Sequence, residues 1–301
     1  MLNIQQIKNL LKQNDIAVLK KFGQNFLISE NILNKIIETA NIKLTDTVLE
    51  IGPGLGVLTF ELAKKAGKVV AIEKDRKFFE IIKKNLETRG IKNVFLVNDN
   101  ALAVAVETRF LRLPKPSFNS PYKLVANLPY NIATAVIMKF LESENPPQQI
   151  IVMVQKEVAQ RICATPPHMN KLAIFCQLYS VPKIVSFVPP SAFWPKPKVD
   201  SAIIALYPRK ELNSFLPKRR SLTPSFHFTS QFQQIVNAGF SHPRKTLLNN
   251  LIRGLPSYKS DEGRPRTEIS QWLLENNIQP NQRPETMSIH NWLCLAKTFK
   301  T

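Results

Sequence analysis

The 301-residue chain has few cysteines, few glycines, a shortage of acids and no long apolar run. Its three cysteines, Cys163, Cys176 and Cys294, are scattered, and none belongs to a Cys-x-x-Cys or mixed Cys/His array. That spacing excludes a disulfide framework and a zinc cluster, so no metal is expected. Thiols of this kind suit a reducing compartment, and the expected location is cytoplasmic. No apolar stretch approaches the roughly 20 residues that cross a bilayer, which removes a membrane partner. The first residues lack a basic segment followed by an apolar one, and Asp15 is out of place in a transit peptide, so no leader is expected. Ile4, Ile7, Leu10 and Leu11 instead recur at helical spacing.

The shortage of acids has a positive counterpart. Lys and Arg number 41 against 22 Asp and Glu, a net charge of +19. Residues 1–180 carry 24 basic and 15 acidic side chains, and residues 181–301 carry 17 and 7, a denser excess. Such a field speeds and tightens association with a polyanion. The alternative is a well-solvated basic surface with no specific partner.

From Thr47 to Leu206, short β-branched runs alternate with helical patterns. The runs are Thr47–Ile51, Lys68–Ile72, Asn93–Val97, Lys123–Ala126, Gln149–Val154, Pro182–Val188 and Val199–Leu206. Alternation of this kind predicts an α/β fold, a doubly wound, mostly parallel sheet. The last two runs have no helix between them, so the closing strand is expected to be antiparallel. Pro208–Pro224 breaks the pattern with prolines and charge and reads as a linker over 208–224. Apolar stripes at Leu247, Leu248, Leu251, Ile252 and Leu255, then Ile269, Trp272 and Leu273, then Trp292, Leu293, Ala296 and Phe299 are helical. The expected organisation is therefore a sheet domain over 1–207 and an all-helical domain over 225–301.

The chemistry collects at strand ends. Val48–Gly56 is a strand leading into Gly52-Pro-Gly-Leu-Gly56, at the crevice where open α/β sheets bind ligands. A dinucleotide fingerprint needs its third glycine at position 57, which is Val57, so a nucleoside-methionine cofactor fits better than a pyrophosphate. Glu73 ends the second strand, 21 residues past Gly52, where a carboxylate accepts both ribose hydroxyls or else caps a helix. Asp99 ends the third, placed to accept an adenine amine or to form a turn.

Asn127-Leu-Pro-Tyr130 follows the fourth strand. An exocyclic adenine amine is a poor nucleophile because its lone pair is delocalised into the ring. The Asn127 amide oxygen and the Leu128 carbonyl would accept both amine hydrogens and draw that lone pair out of conjugation. Pro129 fixes the turn. Tyr130 offers a ring to stack on an extruded base. Phe193 lies in a Pro-rich loop with Lys196 and Lys198 beside it for phosphates, either as a second stacking ring or as a core residue.

Longer motifs occur in order: Lys20-Lys-Phe-Gly-Gln-Asn-Phe-Leu27, Glu50-Ile-Gly-Pro-Gly-Leu-Gly56, Asn127-Leu-Pro-Tyr-Asn-Ile132, Gln155–Arg161, Val188–Val199 and Arg283-Pro-Glu-Thr-Met-Ser288. In these the chain, from Lys20 onward, resembles the KsgA-type small-subunit ribosomal RNA adenine N6,N6-dimethyltransferases. The resemblance implies a Rossmann-like class I methyltransferase sheet and a C-terminal RNA-binding domain. It also implies S-adenosylmethionine as cofactor, and small-subunit ribosomal RNA or a pre-30S-type particle as partner of a monomeric enzyme. It places Asn25 and Leu27 over the methionine end of the cofactor, with Gly52, Glu73, Asp99 and Asn127 completing the contacts. Tyr130 and Phe193 would sandwich the target adenine. The chain departs from relatives at Asn98 and Asn100 around Asp99, at a longer 108–121 loop, in Thr165–Lys171, and at Pro243 of His242-Pro-Arg-Lys245. Two rivals stay open. One is a large-subunit methyltransferase, against which Leu55, Leu128 and Arg283-Pro-Glu-Thr speak. The other is a non-catalytic assembly or transcription factor on the same scaffold.

Overall fold

The computed structural model describes residues 1–16, 25–103, 121–209, 224–255 and 266–299. The chain forms two compact units, Met1–Gln160 with Ser180–Pro208, and Arg161–Tyr179 with Arg209–Thr301.

In the first unit, α1 (Ile4–Gln13) starts at a capping box. Asn3 Oδ1 accepts from the Gln6 amide at 2.8 Å and Gln6 Oε1 from the Asn3 amide at 2.9 Å. Of its apolar stripe, Ile7 and Leu11 are buried and pack with Phe26, Leu55 and Phe78. A short strand β1 (Phe26–Leu27) and α2 (Glu30–Ala40) lead into the sheet. Then come β2 (Thr47–Ile51), α3 (Val57–Lys65), β3 (Lys68–Glu73), α4 (Arg76–Thr88) and β4 (Val94–Asn98). The sheet continues through β5 (Tyr122–Asn127), α5 (Ala133–Leu141), β6 (Gln149–Gln155) and α6 (Lys156–Ile162). After α7 (Lys171–Tyr179), which belongs to the other unit, β7 (Ser180–Val188), β8 (Phe193–Trp194) and β9 (Ser201–Pro208) close it.

The seven-stranded order is β4-β3-β2-β5-β6-β9-β7. Strands β4 through β6 are parallel, whereas β9 is antiparallel to both β6 and β7. The closing strand is thus antiparallel, as its helix-free connection suggested, and it inserts between β6 and β7 instead of lying at the edge. The central strands are apolar runs because helices cover both faces of a parallel sheet. Val69, Val70 and Ala71 of β3 and Leu124, Val125 and Ala126 of β5 are each fully buried.

The second unit takes Arg161–Tyr179, which the sequence pattern had left within the sheet domain. The reason is packing. Helix α7 has almost no polar face, and its Phe175 ring meets Phe232 edge-on at 6.3 Å. Phe232 belongs to α8 (Pro224–Gly239), which is followed by α9 (Leu247–Gly254), α10 (Arg266–Glu275) and α11 (Ile289–Thr298). The stripes marked in the sequence supply the core: Leu247, Leu248, Leu251, Ile269, Leu273, Trp292 and Ala296 are buried. Residues 210–223, most of the expected linker, and most of the 108–121 loop lie outside the described residues.

Candidate nucleoside and amine site

A cavity of about 450 Å³ opens at the C-terminal ends of β2, β3 and β5. Gly52 follows β2 at φ +67°, a conformation that favours glycine, and a Cβ there would press within 3.3 Å of the Pro129 ring. Gly56 at φ +80° begins α3, and a Cβ on it would meet the Phe60 ring at 2.9 Å. Gly52 lines the cavity, so backbone is bare there and a ligand can approach it closely, whereas Gly56 serves the packing of α3.

Of the expected site residues, Asn25, Leu27, Gly52, Glu73, Asp99 and the whole Asn127–Tyr130 tetrapeptide line this cavity. Glu73, 7% exposed, is tied on both oxygens: Oε2 accepts from the Gly54 amide at 3.1 Å and Oε1 from the Asp75 amide at 2.9 Å. Burial pushes its pKa up, and those two amides pull against that shift. Asp99 is held by its own turn, its Oδ1 accepting from the Asn100 amide at 2.7 Å. Beside it the unusual Asn98 ties the strand ends together, donating to the Glu73 carbonyl at 2.8 Å.

Asn127 ends β5, and its Nδ2 points at the Asn25 carbonyl at 3.5 Å. The amide oxygen then lies on the opposite branch. The Leu128 amide donates to the Met153 carbonyl at 3.3 Å, and the Ile132 amide to the Pro129 carbonyl at 3.1 Å, which fixes the turn. The Tyr130 hydroxyl lies 2.6 Å from Ser201 Oγ, the first residue of β9, so the ring is tethered at its far end. Burial raises the phenol pKa.

Phe193 is placed differently. It is 1% exposed, packs in the core with Ile36, Val188 and Ile203, and does not line the cavity. Its strand, β8, pairs with β1, Leu27 opposite Phe193 and Phe26 opposite Trp194. Phe193 thus supports the cavity lip from behind, and the second stacking face expected from it is not brought to the site.

Two residues that sequence reasoning passed over bear on the site. One is Ser201, which does not line the cavity but holds the Tyr130 hydroxyl. The other is Glu50 in β2, 2% exposed and lining the cavity, whose Oε2 has no well-formed hydrogen bond among the described residues, with the Thr59 side chain beside it. Burial raises its pKa to about 8, and the neighbouring Glu73 carboxylate adds to the shift. The signal was present: an acid inside an otherwise apolar parallel strand is costly unless a ligand uses it.

A family model described as ribosomal RNA adenine dimethylase matches residues 17–295. The chain belongs to this family. The motifs from Lys20 to Ser288 all fall inside the matched span. The chain is 40% identical over 294 residues to "Ribosomal RNA small subunit methyltransferase A" of Dehalococcoides mccartyi, covering 96% of this chain and 92% of that protein. Among solved structures, a dimethyladenosine transferase from Plasmodium falciparum superposes with a TM-score of 0.69 at 28% identity, covering 90% of this chain and 95% of that one. The 23S rRNA methyltransferase ErmE follows with a TM-score of 0.67 at 25% identity, covering 91% and 98%. The sheet is that of a class I methyltransferase. No helix among the described residues is long and apolar enough to cross a membrane.

Proposed function

We propose that the chain transfers two methyl groups in succession from S-adenosylmethionine to N6 of adenines in small-subunit ribosomal RNA. It would do so on two adjacent bases, as a cytoplasmic monomer acting on RNA or on a pre-30S-type particle. The observation that carries this reading is Asn127 at the mouth of a cavity walled by buried carboxylates.

The cavity suits a cationic nucleoside. S-adenosylmethionine carries an ammonium and a sulfonium, and it supplies an electrophilic methyl group. Glu50 Oε2, buried and without a well-formed hydrogen bond among the described residues, would ionise more readily beside such positive charge. Glu73, Asp99, Gly52, Asn25 and Leu27 would hold the rest of the molecule. The chemistry left to the protein is at the amine. In the first transfer the Asn127 amide oxygen and the Leu128 carbonyl accept the two N6 hydrogens and release the lone pair from the ring, and in the second one of them accepts the hydrogen that remains. Both hydrogen bonds strengthen as N6 turns tetrahedral and positive and its N–H groups become better donors, so their effect is concentrated in the transition state. The proton leaves to solvent after transfer, and no tuned base is required. Tyr130, anchored through Ser201, presents a fixed ring on which an extruded adenine stacks.

The test is to methylate ribosomal particles from a strain lacking its own small-subunit adenine dimethyltransferase and map the products. Dimethyladenine confined to small-subunit RNA supports the reading. Methyl groups in large-subunit RNA would favour the alternative to which the ErmE likeness points, and none in either would overturn catalysis.

A further inference from the structure

Next to the Tyr130 anchor, the sheet carries an exposed aromatic that the proposed reaction does not use. Strand β9 runs against β6 and β7, so its first residue, Ser201, lies at the same sheet edge as the last residues of those strands. Ser201 pairs with Gln155 on one side and Val188 on the other. The edge therefore runs from Asn127 and Tyr130, across Ser201, to the end of β7.

There the Phe187 ring is 50% exposed. The Lys156 ammonium stands 5.3 Å from the centre of the ring. It is held there by Asp200, whose carboxylate lies 3.1 Å away and is the acid that faces it. The Lys156 amide also donates to the Asp200 carbonyl at 3.0 Å, so the lysine is fixed at both ends. Lys196, Lys198 and Val199, on the loop entering β9, are exposed as well. An aromatic face flanked by cations is the composition of a single-stranded nucleic-acid platform: the rings stack bases and the cations meet phosphates.

We infer that Phe187, braced by Lys156, is a stacking subsite for a nucleotide flanking the adenine held at Tyr130. The inference rests on the proposed function and deepens it, by naming the unpaired strand beside the target as something the sheet domain reads. Two observations select RNA as the occupant. The cations in excess are the exposed Lys196 and Lys198, since Lys156 is paired with Asp200, and Phe187 stands at the same end of the sheet as Ser201, where it pairs with Ala202 and projects from the face opposite the Ser201 side chain. Lys156 takes one face of the ring, and the exposed remainder is open to a base.

The experiment uses the full chain in two assays. One is binding of a fluorescent oligoadenylate decamer, read by anisotropy across a salt series. The other is methylation of small-subunit particles as a function of particle concentration. Phe187→Ala should weaken decamer binding about tenfold with an unchanged salt slope, because it removes a stacking face and no charge. Phe187→Leu should behave like the alanine variant, and Phe187→Tyr should restore affinity. Lys156→Met should lower the salt slope by about 0.7. In methylation, Phe187→Ala should raise the half-saturating particle concentration and leave the saturating rate within about twofold. Wild-type affinity and half-saturation in both Phe187→Ala and Phe187→Leu would overturn the subsite. Sedimentation completes the set: a wild-type dimer that Phe187→Ala dissolves, with RNA binding intact, would assign the patch to a second copy and overturn the inference. The decamer assay requires no methyl transfer, so failure of the proposed reaction would show in wild-type methylation alone.

Discussion

Two buried polar side chains, Glu50 in the sheet unit and Asn250 in the helical unit, are held in opposite ways. In the sheet unit, Glu50 is 2% exposed, and among the described residues its Oε2 makes no well-formed hydrogen bond, with Thr59 and Glu73 as its polar neighbours. In the helical unit, Asn250 is fully buried and saturated with bonds. Its Nδ2 donates to the Gly239 carbonyl at 2.7 Å and the His242 carbonyl at 3.2 Å, and its Oδ1 accepts from the His242 amide at 3.2 Å. A buried acid without full hydrogen bonding costs stability and persists where a ligand will use it. A satisfied buried amide serves shape, here the exposed loop that displays Arg244 and Lys245. Function and architecture thus leave different signatures in the same kind of observation, and each can be broken separately.

The largest expected effect comes from Glu50. Its carboxyl titrates near 4.5 in the unfolded chain and near 8 in the fold, so the folded state binds the extra proton. Stability is therefore full at low pH and falls as pH rises from about 4.5 to about 8, by a loss on the order of a few kcal/mol. Glu50→Gln removes the group, so chemical denaturation at pH 5, 6.5 and 8 should show a flatter profile than wild type and a more stable fold at pH 8. Saturating S-adenosylmethionine should flatten the wild-type profile too. Equal slopes in the two proteins would mean that Glu50 is already compensated without a ligand.

Asn127→Ala should lower the single-turnover methylation rate on the order of 10²-fold with RNA affinity nearly unchanged, since the lost contact strengthens only in the transition state. A full rate in this variant would end the amine-polarisation role.

Glu73→Ala and Asn250→Ala form the direct comparison. The first should weaken S-adenosylmethionine binding, measured by calorimetry, by about 1–3 kcal/mol and leave RNA binding intact. The second should cost about 1–3 kcal/mol of stability, because it strands the loop carbonyls and the His242 amide, and should weaken RNA binding with cofactor affinity unchanged. Asn250→Ala with wild-type stability would erase the distinction between the two kinds of buried polar group.

How much of this was legible depended on distance along the chain. Strand β2 has the bounds its β-branched run implied, and the glycines, Glu73 and Asn127–Tyr130 converge because each ends a neighbouring parallel strand. Local pattern together with a parallel sheet is enough for that. Phe193 was ambiguous, because its position depends on pairing with Leu27, 166 residues away, a contact that leaves no trace in local periodicity. The grouping of Arg161–Tyr179 with the C-terminal helices was hidden for the same reason, since α7 reads as any buried helix. Glu50 was missed because an acid within a strand motif looks like part of the motif until its burial and its incomplete hydrogen bonding are seen.

The smallest expected effect separates ring from hydroxyl at Tyr130. The ring face does the stacking, worth about 1–3 kcal/mol per base, and Tyr130→Ala removes it. Tyr130→Phe keeps the face and loses only the 2.6 Å bond to Ser201, so the ring stays in place but is less constrained. A neutral hydrogen bond contributes about 1 kcal/mol net, which bounds the loss at several-fold in single-turnover rate. Ser201→Ala should give the same several-fold loss, and the double variant Tyr130→Phe with Ser201→Ala should be no worse than either alone, since both break one bond. Additive losses would show that Ser201 acts elsewhere, and a rate in Tyr130→Ala equal to that in Tyr130→Phe would remove stacking from the mechanism.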